Sequence, residues 1–128
     1  MARPQPRPTD AELAILRVLW ERGSSTVRQV HEALAETRDT GYTTTLKLMQ
    51  IMADKGLVKR NETARTHVYA AIAGQEQTQR QLVQDLVDRA FGGSAAQLVL
   101  RALSGDGATD AELKEIRKLI DDYREKRS

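Results

Sequence analysis

Three observations predict a mainly α-helical chain with a small β-hairpin. Apolar residues recur at i, i+3 and i+4 through much of the 128 residues, the period of helices that bury one face. Two short runs rich in strand formers, Leu57-Val58-Lys59-Arg60-Asn61 and Thr66-His67-Val68-Tyr69-Ala70, interrupt that pattern near the middle. Glycines then divide the remainder into further helical segments, at Gly74, Gly92-Gly93 and Gly105-Asp106-Gly107. Helices followed by a hairpin, in this order, make a winged helix-turn-helix; the predicted fold is that motif followed by a three-helix dimerisation region. The expected organisation is a disordered tail over residues 1–8, a winged-helix domain over 9–73 and a helical domain over 74–128.

The tail, Met1-Ala2-Arg3-Pro4-Gln5-Pro6-Arg7-Pro8, is too rich in proline for a helix. The first helix opens at Thr9-Asp10-Ala11-Glu12-Leu13, where Thr9 caps the helix and Glu12 reaches back to it. The same residues recur as Thr109-Asp110-Ala111-Glu112-Leu113, so each copy marks a helix start. The first helix runs through Leu13, Leu16, Val18, Leu19 and Trp20 to Gly23, with Trp20 expected as the largest core side chain. Ser25 or Thr26 caps the second, whose apolar stripe is Val27, Val30 and Leu34. The third begins at Gly41-Tyr42-Thr43-Thr44-Thr45 and stops at Lys55-Gly56, where glycine takes the left-handed conformation. Glu62-Thr63-Ala64-Arg65 joins the two strand runs as a hairpin turn.

On the third helix Thr45, Leu48, Met49 and Met52 share one face, leaving Thr43, Thr44, Lys47, Gln50, Ile51 and Asp54 on the other. Hydroxyls, an ammonium and an amide hydrogen-bond phosphates and base edges, and the leading residues of a recognition helix enter the major groove. The same residue types populate ordinary solvated faces, so the neighbours decide. The start of the second helix offers backbone N–H groups, the Thr26 hydroxyl and the Arg28 guanidinium to an anion. Lys59, Arg60, Arg65 and His67 gather on or near the hairpin loop, where cations clamp phosphate; the plainer alternative is charged edges that discourage aggregation. The expected DNA-binding set is Thr26, Arg28, Thr43, Thr44, Lys47, Gln50, Arg60 and Arg65, with double-stranded DNA as the partner. Charge is distributed accordingly: residues 1–70 hold 11 Lys plus Arg against 8 Asp plus Glu, residues 71–128 hold 9 against 10, and the whole chain is +2.

After Gly74, helical patterns cover residues 75–91, 94–103 and 110–126. They hold more apolar surface than so short a segment hides by itself, which favours burial against a second copy. Leu82, Leu86, Phe91, Leu98, Leu103, Leu113, Ile116 and Ile120 are the expected dimer contacts; folding back onto the N-terminal domain is the alternative. The chain has no cysteine, which excludes disulfides, thiolate metal sites and cysteine nucleophiles. Its only histidines are His31 and His67, and its carboxylates are scattered over amphipathic helices, so no catalytic centre, metal or cofactor is expected. Without a membrane-length apolar run or a signal-peptide h-region, the expectation is a soluble cytoplasmic protein with no direct membrane association.

The chain resembles the penicillinase-repressor (BlaI/MecI) family of winged-helix transcription repressors from bacteria. The residues that carry the resemblance are Thr9-Asp10-Ala11-Glu12-Leu13 leading to Val18-Leu19-Trp20, then Thr26-Val27-Arg28-Gln29-Val30, Tyr42-Thr43-Thr44, Lys55-Gly56-Leu57-Val58 and Phe91-Gly92-Gly93-Ser94. The resemblance implies a homodimer on a palindromic operator, winged helices on the DNA and C-terminal helices in the dimer. It also implies an indirect link to a membrane-bound sensor metallopeptidase, which triggers cleavage in the C-terminal domain of antibiotic-responsive members. By the match, Thr43, Thr44, Lys47 and Gln50 lie against the major groove and Arg65 on the wing. This chain departs from the pattern at Lys47 and Ile51, where a Thr-like and an Arg-like residue are expected, and at Arg101-Ala102, which stand in place of the cleavable Asn-Phe pair. The cysteine metal site of copper-sensing relatives is missing. A winged-helix module that docks on another protein is the main alternative, and a ligand-gated regulator of the multidrug-response type rests on shared architecture alone.

Overall fold

The structure, a computed structural model, describes residues 7–63 and 65–127. Its elements in chain order are α1 (Asp10–Arg22), β1 (Ser25–Thr26), α2 (Val27–Ala35), α3 (Tyr42–Lys55), β2 (Val58–Asn61), β3 (Val68–Ala71), α4 (Gln75–Ala90), α5 (Ala95–Leu103) and α6 (Asp110–Arg127). Of the tail expected at residues 1–8, residues 1–6 lie outside the described residues; Arg7 and Pro8 belong to no helix or strand.

The chain divides into two compact units, one ending at Leu82 and one beginning at Val83, inside α4. In the first unit, Ile15, Leu16 and Leu19 of α1, Val27, Val30 and Leu34 of α2, and Met49 and Met52 of α3 close one core with Leu57, Val58 and Tyr69. Burial of this kind is worth about 1.5–3 kcal/mol per large apolar side chain, which holds the helices to one another. Trp20 is not its largest member: the indole is only partly buried and donates its N–H to the Ala73 carbonyl at 3.0 Å, while Tyr69 is the largest fully buried side chain. An indole needs a hydrogen-bond partner, and the rim of the core supplies one that its centre does not.

Both predicted capping boxes form. Glu12 N–H donates to Thr9 Oγ1 at 3.2 Å and Thr9 N–H to Glu12 Oε1 at 2.9 Å; in the second copy Glu112 N–H donates to Thr109 Oγ1 at 3.1 Å and Thr109 N–H to Glu112 Oε1 at 3.2 Å. The first box does more than cap. Lys55 Nζ at the end of α3 donates to the buried Glu12 Oε1 at 2.7 Å, clamping α3 to α1. Burial pushes the Glu12 carboxyl up, but the Lys55 hydrogen bond, the Thr9 bonds and the Lys55 charge outweigh it and hold the group below its ordinary value.

The hairpin belongs to a three-stranded antiparallel sheet in the order β1-β3-β2. The unforeseen strand, β1, pairs Ser25 with Tyr69 and Thr26 with Val68. A two-residue strand carries no periodicity of its own, so its sequence signals only the helix cap that follows. The second hairpin strand also starts later than its residue types imply, at Val68 rather than Thr66, and runs to Ala71, with Asn61 opposite Val68. The connection is therefore residues 62–67, a longer loop than the expected 62–65 turn. His67 belongs to that loop and not to a strand. At the end of α3, Gly56 adopts φ 82° and ψ 18°, and Leu57 N–H closes on the Met52 carbonyl at 2.9 Å, turning the chain straight into β2.

In the second unit, Ser94 caps α5 through Gln97 N–H at 3.2 Å, and no residue of α5 or α6 is buried. Leu113 and Ile120 are exposed; Leu98, Leu103 and Ile116 are half-buried. Among the described residues no helix is long and apolar enough to cross a membrane.

Candidate nucleic-acid interface

The outward face of α3 is the one its periodicity predicts. Thr45, Met49 and Met52 are fully buried against the core, and Thr43, Thr44, Lys47, Gln50, Ile51 and Asp54 are exposed. α3 has no side-chain cap: Gly41 occupies the N-cap, and the Thr45 hydroxyl turns back to its carbonyl at 3.2 Å. The hydroxyls of Thr43 and Thr44 are thereby left to the solvent-facing first turn.

Thr26, not Ser25, caps α2. Its Oγ1 accepts from Gln29 N–H at 3.1 Å, and Gln29 Oε1 accepts from Thr26 N–H at 2.9 Å, a further capping box. Ser25 instead donates to the Gly23 carbonyl at 2.8 Å. Because Thr26 also pairs with Val68, β1 ties the start of α2 to the base of the wing. With Gln29 N–H taken by the cap, the Val27 and Arg28 amides are the first-turn donors of α2 left without a partner within the helix, and both residues border the space beside the wing.

The result is an open groove of about 760 Å³ bounded by the start of α2, one side of α3 and the wing. Thr26, Arg28, Gln50, Arg60 and Arg65 all line it, with Tyr42, Thr66 and His67. Thr43, Thr44 and Lys47 lie on the exposed face of the same α3, outside the groove. Lys59 is not part of that groove; it lines a second hollow with Asn61, Glu62 and Thr63, and Arg60 borders both.

The cations are not equivalent. Arg60 is already ion-paired with Glu62, and the Tyr69 hydroxyl and that carboxylate both favour its charged form. Asn61 Oδ1 accepts from Thr63 N–H at 3.0 Å and Thr63 Oγ1 at 2.8 Å, so a local side-chain turn shapes the wing from its first residue. The Arg28 guanidinium carbon lies 5.9 Å from the centroid of the Tyr42 ring, and that ring meets His31 edge-on at 5.9 Å and 86°. Residue type and spacing did not single out Tyr42. Its signal was an aromatic at the first position of a helix that packs on the preceding one, where only the fold brings it under Arg28. Among the described residues no cluster of His, Cys, Asp and Glu is arranged to hold a metal ion.

A profile of the penicillinase repressor family matches residues 8–122. The transcriptional regulator BlaI of Mycobacterium tuberculosis is 38% identical over 92 residues, covering 71% of this chain and 67% of that one. The penicillinase repressor of Bacillus licheniformis is 20% identical over 122 residues, covering 95% of each chain. Among solved structures, the DNA-binding domain of the repressor BlaI matches with a TM-score of 0.51 and 23% identity over 58% of this chain and 90% of that one. The monomeric form of Bacillus licheniformis BlaI in complex with the blaP half-operator matches with a TM-score of 0.51 and 23% identity, over 59% and 92%. At that identity the structural likeness shows the fold, a winged helix.

Proposed function

The chain belongs to the penicillinase repressor family, and from that premise we propose that it is a homodimeric transcriptional repressor gripping a palindromic duplex operator through two winged helices. One observation carries the reading: Thr26, Arg28, Gln50, Arg60 and Arg65 line a single groove beside the exposed Thr43, Thr44 and Lys47 of α3. α3 enters the major groove with Lys47 and Gln50 toward base edges, while Thr43 and Thr44 meet the backbone at its first turn. The start of α2, with Arg28, seats one phosphate run, and Arg65 on the wing seats another. No bond is made or broken in this task, so the function calls for no catalytic group. The relative solved as a monomer on a half-operator supports one winged helix as the unit that meets one half-site.

A second copy completes the repressor. The apolar residues Leu82, Leu86, Phe91, Leu98, Leu103, Leu113, Ile116 and Ile120 form the dimer contact, and the absence of any buried residue in α5 and α6 supports that reading. Linking two half-site contacts makes the second at an effective concentration of about millimolar, so repression depends on the link. Release through a membrane sensor metallopeptidase, an indirect partner, acts on that link in the cytoplasm. Arg101 and Ala102 lie exposed inside α5, so cutting there requires the helix to unwind locally first.

Titrating a duplex against salt tests the reading. Phosphate-driven binding falls steeply with salt, and Arg65→Ala lowers the log–log slope by about one for each phosphate it no longer neutralises, on all sequences alike. Gln50→Ala costs about 1–3 kcal/mol at the cognate operator and little on random DNA. Binding that ignores salt assigns this surface to another partner, and equal losses of Gln50→Ala on both DNAs refute base readout at Gln50.

A further inference from the structure

We propose that Ile51 reads a thymine methyl group in the major groove, so that each operator half-site carries a thymine facing the middle of α3. The inference rests on the DNA-binding reading above and adds a base identity to it.

The outward stripe of α3 is polar at Thr43, Thr44, Lys47, Gln50 and Asp54; Ile51 is its one aliphatic member and is 40% exposed. The fold does not need it there. The core of the first unit closes without Ile51, and the apolar contacts of α3 with that core are made by Thr45, Met49 and Met52 on the other side, with Leu46, Leu48 and Ala53 at the margin. Ile51 stands one turn beyond Lys47 and next to Gln50, which lines the groove shared with Arg28 and Arg65. Like Lys47, Ile51 lies outside that groove on the exposed face of α3, so a duplex that takes this face into its major groove meets the Ile51 side chain.

A branched aliphatic group has only one favourable counterpart on the base edges of the major groove. Guanine, adenine and cytosine present donors and acceptors there, whereas thymine adds its C5 methyl. Pressed against N6 of adenine, O6 of guanine or N4 of cytosine, Ile51 would strip water from a polar group and offer no hydrogen bond in return. Attraction to the methyl and rejection of the other edges therefore act in the same direction. Isoleucine in a helix keeps essentially one χ1 rotamer, so little freedom is given up on binding. Removing one methyl from such a contact is worth about fourfold in affinity.

The test uses the full-length protein to select its own duplex from a randomised pool, then replaces each thymine of the selected site singly with deoxyuridine, which lacks only that methyl. Wild type, Ile51→Ala and Lys47→Ala are titrated on each duplex, and thermal melting checks that the variants fold. At one position per half-site the wild type loses about fourfold, Ile51→Ala is indifferent, and Lys47→Ala still shows the loss although its overall affinity is lower. A scan that is flat for the wild type, or a loss that persists in Ile51→Ala, overturns the methyl contact while leaving operator binding standing. A pool that enriches no sequence overturns the operator reading and this inference with it.

Discussion

The two halves of the chain cover their apolar residues differently. From α1 to β3, side chains such as Ile15, Val30, Met49 and Met52 are shut completely from solvent inside one chain. In α5 and α6 no residue is buried, and Leu119 and Ile120 stand 61% and 50% exposed. Both halves are built from amphipathic helices, so the difference does not lie in the pattern. It lies in whether the same chain supplies the opposite surface. A half that closes its own core holds a reading surface rigid, as the groove between α2, α3 and the wing requires. A half left open is suited to join two copies, and in the proposed dimer its contribution is avidity and not chemistry.

The sharpest way to break this comparison is to charge the open face. Ile116→Asp combined with Ile120→Asp leaves the winged helix untouched, and operator affinity is expected to fall by roughly 10²–10⁴ while half-site affinity is retained. Sedimentation alongside the titration reads both; a double variant that stays dimeric places the contacts elsewhere. Next in size is the closed core, where Met49→Ala costs about 2–5 kcal/mol in denaturant unfolding. The matching truncation in the other half, Leu119→Ala, changes stability by less than about 0.5 kcal/mol in dilute protein. Equal costs would erase the distinction.

The clamp between α1 and α3 comes third. Lys55→Met leaves the buried Glu12 carboxylate without its ammonium and costs about 2 kcal/mol near neutral pH. Because the folded-state pKa of Glu12 lies below its ordinary value of 4.5, the stabilisation is complete above that value and is lost as pH falls through the folded one. Glu12→Gln should flatten this part of the acid limb of a stability profile, and an unchanged limb would show the clamp to be inert. The smallest effect belongs to the reading surface: Tyr42→Leu removes the ring beside Arg28 and weakens duplex binding by about two- to fivefold, whereas Tyr42→Phe keeps it.

How much of this could be read beforehand follows the same division. Capping boxes, the left-handed stop at Gly56 and the polar stripe on α3 are written in spacing a few residues wide, so they stood out in the sequence and hold in the structure. Strand β1, the Tyr42–Arg28 contact and the Glu12–Lys55 clamp join residues that only the tertiary fold makes neighbours. Glu12 shows the difference within one side chain: the box with Thr9 was legible at i, i+3, but its bond to Lys55 spans 43 residues. For Trp20, size predicts burial and says nothing of where the indole N–H finds an acceptor, which here is the Ala73 carbonyl.

Amide hydrogen exchange of the full chain over a dilution series, without DNA, tests the central contrast most directly. Protection in α1, α2, α3 and the sheet is predicted to be independent of protein concentration, since that core closes within one chain. Protection in α5 and α6 should fall as the dimer dissociates. Concentration-independent protection throughout the chain would contradict the account, because the C-terminal helices would then be stable without a second copy.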